Sequence, residues 1–502
     1  MRGEATSTTH PVGRGAPASR EEHGAPREAG AALHRAEGPG ERGEASSWAS
    51  LGGAPLEDGS NDAGARSSSP PTIAFSTLGC RLNQFETDAM IDMAERAGYV
   101  VVRGDAPAQL HVVNTCAITH EADADSRQQA RRAARQGSRV LVTGCYAAAA
   151  PREAAALPGV VAVFGNREKE RLLEFLGAAP SLIPAVDLGR RRRVARLSPS
   201  LDPRRSRALL KVQDGCDYRC SFCVVPSVRG RSASVEPREV ARQLDALVAA
   251  GAPEIVLTGA HLGTYGRDLR PRVELSQLVA RLLPRLGQAR LRLGSIDPHE
   301  VDDALIELLA ARPGRLCRHL HLPVQSGDDA VLRAMRRGHR ADELRALTSR
   351  LAARVPGIAL GTDVIVGFPG EDAAAADRTH ALLSAAPIAY AHVFPYSRRA
   401  GTPAADAPAQ VPARDRERRA AALRQLARVK QRGFVEAQLG ARLDVVVYRA
   451  RDRRTGALVG LTDNYVKVRF AGDDALLGRP ARVELCALAE QGATGVLVGA
   501  DR

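Results

Sequence analysis

Three closely spaced cysteines are the strongest chemical signal in the sequence. Cys216, Cys220 and Cys223 have the spacing C-x3-C-x2-C and directly follow a predicted strand at residues 208–212. Thiolates this close on a loop can bind three irons of a [4Fe–4S] cluster and leave the fourth iron open for a small molecule. Zinc is the alternative, but a structural zinc site normally has four protein ligands, and no other Cys or His lies close in sequence. We therefore predict an iron–sulfur cluster with one open coordination position.

Three further cysteines lie far apart in the sequence but at equivalent places. Cys80, Cys116 and Cys145 each come just after a predicted strand, in TIAFSTLGC, LHVVNTC and RVLVTGC. The carboxyl ends of parallel strands share one edge of a sheet, where such folds bind their ligands. Taken singly, each is expected to be an inert buried cysteine. Their repeated placement instead predicts that the three thiols converge and bind a second cluster.

The elements that position these cysteines alternate between strands and helices, which indicates an α/β multidomain protein with parallel sheets. The first alternation has strands at 72–77, 110–113 and 140–142 and helices at 86–97, 122–135 and 168–176. The second has strands at 208–212, 254–257, 290–293, 319–322, 361–366 and 391–394. Six such units fit a full or partial barrel whose site lies at the carboxyl ends of its strands.

The end of the chain changes character. A very basic helix is predicted at 414–432, and alternating strands follow at 443–448, 457–461, 465–470 and 481–485. This pattern indicates a small antiparallel β-barrel or sandwich. The predicted domains are therefore 71–185, 206–430 and 432–500. Residues 1–70 bury too little to offset their ordering entropy, so we expect a disordered tail, or a start codon placed too far upstream.

Charge and composition narrow the class of protein. The formal net charge is +14, and because the first 70 residues carry 7 basic and 10 acidic side chains, the rest carries +17. Such a surplus suggests a polyanionic partner, most often nucleic acid, although solubility charge is the alternative. The sequence has no apolar run long enough to span a bilayer, no recognisable signal peptide and only 8 cysteines. We therefore expect a cytoplasmic protein without a disulfide scaffold.

The motifs around both cysteine groups resemble those of a known family. TLGCRLNQFET, NTCAITHEAD and VTGCYA resemble the N-terminal motifs of methylthiotransferases, and KVQDGCDYRCSFCVVPSVRGRSAS resembles their radical S-adenosylmethionine (SAM) signature. The tail resembles their TRAM domain, a small RNA-binding β-barrel. LTGAHLGTYG, RLGSIDP, CRHLHLPVQSGDD and GTDVIVGFPGE are similar to the branch that acts on N6-threonylcarbamoyladenosine at position 37 of tRNA. The resemblance covers residues 72 to 498.

This resemblance implies two [4Fe–4S] clusters, SAM as cofactor, and methylthiolation at C2 of the adenine ring in the anticodon loop of tRNA. It also implies a reductase or flavodoxin that donates electrons. Radical chemistry suits an unactivated C–H bond, which has no acid–base route at neutral pH. Phe222 matches the aromatic position near the SAM adenine, and the rim that holds SAM would include Gly259, Ser295, Gln325 and Asp363. A plain βα turn is the alternative for Gly259.

RNA binding is predicted for basic residues of the C-terminal barrel, since small barrels bind single strands through basic grooves and aromatic stacking. The candidates are Arg449, Arg451, Arg453, Arg454, Lys467 and Arg469. Tyr448 and Phe470 lie among them, but we expect both in the core. The basic run at 190–193 is ambiguous between RNA contact and a solvated surface.

Three alternatives stay open. The substrate could be another tRNA adenosine, with an isopentenyl group, or an aspartate of a ribosomal protein. In a different class, the chain could be a non-catalytic iron–sulfur protein that binds RNA. The open three-cysteine site and the six-unit barrel argue against that last reading.

Overall fold

The N-terminal part is a six-stranded parallel sheet with the strand order β2-β1-β3-β4-β5-β6. The computed structural model describes residues 70–176, 181–182, 194–202 and 204–499. The strands of this sheet are β1 (Thr72–Thr77), β2 (Val100–Val102), β3 (Leu110–Thr115), β4 (Arg139–Gly144), β5 (Val160–Val163) and β6 (Ser181–Leu182). Its helices are α1 (Arg81–Arg96), α2 (His120–Arg135), α3 (Cys145–Ala149), α4 (Pro151–Ala155) and α5 (Leu172–Leu176).

The sheet agrees with the sequence pattern where strands are long and apolar. Every residue of β3 is buried, as expected for a central parallel strand. Edge strand β2 and strand β5, of three and four residues, were not predicted. Helix α1 begins five residues earlier than predicted, because its first turns bury polar side chains, including Asn83 and Glu86, that hide the apolar period.

The central part holds six parallel barrel strands in two halves, β11-β10-β7 and β12-β13-β14. Single bridges, among them one from Ser295 to His321, connect the halves into a partial barrel. Its strands, with the small β8–β9 pair, are β7 (Ala208–Lys211), β8 (Gln213–Asp214), β9 (Ala233–Ser234), β10 (Glu254–Thr258), β11 (Arg290–Leu293), β12 (His319–Gln325), β13 (Ala359–Val366) and β14 (Tyr390–Pro395). Its helices are α6 (Val225–Arg229), α7 (Pro237–Ala249), α8 (Leu275–Leu282), α9 (Asp303–Ala311), α10 (Asp329–Ala334), α11 (Ala341–Arg354) and α12 (Ala373–Ala385).

The chain ends in a closed five-stranded barrel that follows the long basic helix α13 (Ala413–Glu436). Its strands are β15 (Arg442–Val447), β16 (Leu458–Thr462), β17 (Lys467–Phe470), β18 (Pro480–Ala489) and β19 (Gly492–Leu497). The predicted barrel is confirmed, but it is not wholly antiparallel, because β17 and β19 pair in parallel to close it. Phe470 lies in its core as expected, and Tyr448 is half-buried.

Two of the sequence predictions, the tail at 1–70 and the basic run at 190–193, fall almost entirely outside the described residues. Within the described ranges, no helix combines the length and the apolar character needed to cross a membrane.

Candidate functional site: two cysteine groups and a basic cavity

The loop between β8 and α6 carries the first cysteine group, here called the barrel trio: Cys216, Cys220 and Cys223. A donor lies near each sulfur, as is common for cysteines that ligate iron–sulfur clusters. The three donor–sulfur contacts are His261 Nδ1 to Cys216 at 3.2 Å, Arg337 Nη1 to Cys220 at 3.6 Å, and the Val225 N–H to Cys223 at 3.4 Å.

Two carboxylates hold the donors in place. His261 Nε2 lies 2.8 Å from Glu300 and 3.4 Å from Asp297, and Arg337 donates to the same Asp297. Burial alone lowers the pKa of His261, but its contacts with Asp297, Cys216 and Glu300 outweigh burial and raise the pKa to about 12. The imidazole is therefore charged at neutral pH, so it donates from Nδ1 towards the Cys216 sulfur.

A cavity of about 820 Å³ opens over the barrel trio and is also lined by Arg219, Arg231 and residues 401–403. This volume lies in the range of cofactor pockets. Burial raises the pKa of Cys223 to about 12, so its thiol is neutral until a metal displaces the proton. Three soft ligands, three donors and an open cavity fit a cluster that keeps one position for a small molecule.

The second group, here called the sheet trio, consists of Cys80, Cys116 and Cys145. They directly follow or lie near the ends of the adjacent strands β1, β3 and β4, and Cys80 is the N-cap of α1. Burial raises the pKa of Cys116 to about 11, and the neighbouring thiols of Cys145 and Cys80 add to the rise. The structure thus brings together three cysteines that are up to 65 residues apart in sequence.

Two glycines allow this close approach. Gly79 has φ +90°, and a Cβ there would lie 2.7 Å from the Cys116 sulfur. Gly144 has φ +99°, and a Cβ there would lie 2.4 Å from the Thr115 carbonyl. Both positions need the left-handed region and have no room for a side chain, so they hold the trio compact.

Five buried charged side chains lie beside the sheet trio and are here called the Glu86 network: Glu86, Lys169, Lys211, Asp214 and Arg229. Glu86 contacts Lys169, Lys211 at 3.1 Å and Arg229 at 2.9 Å. Asp214 contacts Lys211 at 3.2 Å and Arg229 at 3.1 Å. Three cations against two carboxylates leave a net charge of +1 away from water.

This surplus charge faces the sheet trio. The Arg229 guanidinium acts electrostatically on all three of its thiols. Asn166, which accepts a hydrogen bond from Lys169 at 2.8 Å, donates towards the Cys145 sulfur at 3.9 Å. An unbalanced buried charge is costly. A bound group made anionic by three thiolates would neutralise the surplus positive charge of this site. The donor set therefore fits a second metal cluster.

Helix α6 connects the two trios. It begins two residues after Cys223, ends at Arg229, and packs against α3, whose first residue is Cys145. A helix of five residues is about 7.5 Å long. Both trios therefore lie beside one short helix, since Cys223 precedes it, the Cys216 N–H donates to the Gly230 carbonyl just after its end at 3.0 Å, and the helix that starts at Cys145 packs against it.

The residues predicted to hold SAM lie around the barrel rim, and each is at least partly accessible. Gly259 follows β10, and a Cβ there would lie 2.8 Å from Gln213 Oε1. Gln325 ends β12 with φ +71°, an uncommon conformation for a non-glycine residue that clusters at functional sites. Ser295 follows β11, and Asp363 on β13 lies 3.1 Å from His321. Phe222 packs edge-on against Phe368, with ring centroids 6.5 Å apart.

A second cavity, of about 590 Å³, joins the sheet trio to the C-terminal barrel, and we call it the basic cavity. It is lined by Cys80, seven basic side chains and one carboxylate, Asp452. The basic residues are Arg81, Arg204, Arg205, Arg207, Arg449, Arg451 and Lys467. Three residues predicted to bind RNA, Arg449, Arg451 and Lys467, therefore share a cavity with a predicted cluster ligand.

The side chains of the other three residues predicted to contact RNA differ in exposure and in ion pairing. Arg469 is largely buried and pairs with Asp452 at 3.0 Å, so its guanidinium is held within the barrel. Arg454 pairs with Glu490 at 3.4 Å on the surface, where an ion pair is weak. Arg453 is exposed.

Sequence reasoning missed the residues around the cysteines. His261 lies in the quoted motif LTGAHLGTYG, so motif position was a signal for it. Glu86, Lys211, Asp214 and Arg229 also lie in quoted motifs, but their pairing left no signal, because Glu86 and Arg229 are 143 residues apart. A third group, His321, Asp363 and His392, has ligand atoms within 4.8 Å of one another inside the barrel.

Comparison with known proteins identifies the family of the chain. Residues 72–165 match the model of uncharacterized protein family UPF0004, and residues 210–383 match the radical SAM superfamily. The chain is 36% identical to the threonylcarbamoyladenosine tRNA methylthiotransferase MtaB of Bacillus subtilis, over 82% of this chain and 93% of the relative. It is 35% identical to the MtaB protein of Aquifex aeolicus, over 80% and 97%. It is also 35% identical to the tRNA-2-methylthio-N(6)-dimethylallyladenosine synthase of Frankia casuarinae, over 80% and 76%.

The two family matches include both cysteine trios, and the matches to the relatives extend over most of the chain. A radical SAM domain with the barrel trio at its open face is joined to a sheet domain with a second trio. The chain belongs to the radical SAM methylthiotransferase family and is similar to its MtaB members.

Proposed function

We propose that the protein methylthiolates C2 of N6-threonylcarbamoyladenosine at position 37 of tRNA. The observation that carries the proposal is the placement of both cysteine trios beside α6, together with a basic cavity that extends from Cys80 to the C-terminal barrel. Four relatives whose names specify threonylcarbamoyladenosine in tRNA support the choice of substrate. We assign residues 71–185 to sulfur delivery, 206–430 to the radical SAM core and 432–500 to RNA binding.

Each trio would hold one [4Fe–4S] cluster, and the barrel rim would hold SAM. When bound, these groups would supply three things: a carbon-centred radical that abstracts hydrogen from C2, the sulfur atom that is inserted there, and the methyl group that this sulfur carries. His261 and Arg337 would stabilise the thiolates of the barrel trio through hydrogen bonds. Asp297 would keep both donors oriented, since it contacts each of them.

The basic cavity would bind the anticodon loop. Its cations match a phosphate backbone, and backbone contacts position the RNA without reading its sequence. A loop nucleotide can be unstacked and turned towards a protein site, which a base in a duplex cannot do at low cost. The target adenosine would enter the barrel past Cys80, so that C2 faces both trios. A cytoplasmic location and an electron-donating reductase or flavodoxin belong to this proposal.

Nucleoside mass spectrometry in a bacterial strain that lacks its own enzyme for this modification tests the proposal. Expression of the wild-type chain should restore 2-methylthio-N6-threonylcarbamoyladenosine in tRNA. Cys80→Ala and Cys220→Ala should each abolish the product. Cys486→Ala is the matched control, since this cysteine is exposed and belongs to neither trio.

Other results would select an alternative. Appearance of the 2-methylthio isopentenyl nucleoside, or of a modified ribosomal aspartate, would replace the proposed substrate. If reduced, reconstituted protein does not form 5′-deoxyadenosine from SAM, the non-catalytic alternative holds.

A further inference from the structure

Arg81 occupies a distinctive place beside the sheet trio. It directly follows Cys80, is the first residue of α1, and is half-buried in the wall of the basic cavity. Cys80 and Arg81 line the same cavity, so a substrate that reaches Cys80 from this cavity can also contact Arg81.

Among the described residues, the charge of Arg81 has no partner of opposite sign. Four other basic residues of the cavity are paired: Arg204 and Arg205 with Asp202, Arg207 with Glu254, and Arg451 with Asp474. Arg449 and Lys467 also have no carboxylate partner among the described residues, but neither is next to a cysteine of the sheet trio in sequence. No carboxylate among the described residues lies within ion-pair distance of Arg81. Its hydrogen bond to the Tyr465 hydroxyl is long, at 3.4 Å. The guanidinium is therefore available for an anion that enters from outside.

A wall of rings faces Arg81. Tyr465 comes from the β16–β17 turn of the C-terminal barrel, with φ +69°, and its ring stacks 5.5 Å from Tyr390. The charge of Arg81 acts on Tyr390 and on the exposed His392, both on β14. Guanidinium and aromatic rings together suit a planar group that ends in a carboxylate.

The proposed substrate carries such a group. Its N6 substituent is a planar carbamoyl linked to threonine, whose carboxylate is free. C2 and C6 of adenine flank N1 on one edge of the ring, so turning C2 towards the sheet trio also turns the N6 substituent towards Cys80. An isopentenyl group offers neither a charge nor a hydrogen bond at this place.

We propose that Arg81 binds the carboxylate of the threonylcarbamoyl group and selects this substrate over adenosines with uncharged N6 substituents. This inference rests on the proposed function. Arg81 is then a specificity-determining residue of the substrate site. Phosphate contact is the competing role, and it would act equally on all tRNA substrates.

The test compares anticodon stem-loops that carry N6-threonylcarbamoyladenosine or its methyl ester. Binding is followed by fluorescence anisotropy with holoenzyme, and turnover by nucleoside mass spectrometry. We expect the wild type to prefer the free acid roughly 10- to 100-fold, the range of one charge-assisted hydrogen-bond pair. Arg81→Gln should bring the acid-to-ester ratio close to one, and Arg81→Lys should keep part of it.

Arg449→Gln is the matched control. Arg449 lines the same cavity but is held by the Arg205 carbonyl at 2.8 Å, so its loss should weaken both stem-loops equally. Iron content shows whether each variant contains its clusters. If Arg81→Gln does not, the comparison is made with Arg81→Lys. An unchanged acid-to-ester ratio in Arg81→Gln, or an equal loss for both RNAs, would overturn the role of Arg81 alone. A wild type that modifies neither RNA would overturn the proposed function itself.

Discussion

Replacing Glu86 by Gln perturbs the centre of the Glu86 network. The carboxylate contacts three buried cations, and it lies on α1 of the N-terminal domain, whereas Lys211 and Arg229 belong to the barrel. After the substitution, three cations would face the single carboxylate of Asp214. Removing one partner of a buried ion pair typically costs about 3–5 kcal/mol, so we expect a loss of that order in the free energy of unfolding.

The pH dependence gives this prediction a second readout. Burial raises the pKa of Glu86, but Arg229, Lys169 and Lys211 outweigh it and hold the pKa well below its usual range. Because the folded pKa is depressed, the stabilisation is complete above the pKa of the unfolded chain, and it is lost as the pH falls through the folded value. The difference between wild type and Glu86→Gln should therefore be large at pH 7 and shrink as the pH falls below about 4.

Urea unfolding of cluster-free protein, followed by circular dichroism, measures the effect. Glu371→Gln is the matched control, because Glu371 is also buried but pairs with one cation, Arg419, among the described residues. Burial raises the pKa of Glu371, so a neutral amide should cost much less there. Equal unfolding midpoints for Glu86→Gln and the wild type, or a loss that persists unchanged at pH 3, would refute the reasoning.

Further predictions concern the trios and α1. Gly79→Ala should lower the iron content from about eight to about four atoms per chain, because the new Cβ would lie 2.7 Å from the Cys116 sulfur. Gly98→Ala is the control and should keep its iron, because Gly98 also has a positive φ but a Cβ there would have no atom within 4 Å. Arg337→Met should lower the reduction potential of the barrel cluster by about 60 mV, a tenfold change in a one-electron couple; an unchanged potential in an electron paramagnetic resonance titration would contradict it. Burial raises the pKa of Asp88 to about 6, so the folded state loses stability as the pH rises from the unfolded pKa of about 4 to about 6, and the loss is complete above that. Asp88→Asn should therefore raise the thermal midpoint at pH 8 and not at pH 4, and equal gains at both pH values would exclude this cause.

The sequence by itself determined the chemistry and most of the architecture. The barrel trio is a local signal, since its spacing alone places three thiols on one loop. The sheet trio could be predicted because parallel strands bring their carboxyl ends to one edge. The strands β1, β3 and β4, of six residues each, were predictable from apolar runs. The motif resemblance to methylthiotransferases agrees with the relatives found.

Only the tertiary structure decided which charged groups meet. Glu86 joins Lys169, Lys211 and Arg229 across separations of 83, 125 and 143 residues, and no local pattern encodes such pairing. The parallel closure of the C-terminal barrel by β19 and the pairing of Arg469 with Asp452 were likewise invisible in the sequence. The physical reason is that periodicity reports which face of an element is apolar, whereas the energy of a buried charge depends on the distance to its partners, which the folded chain alone sets.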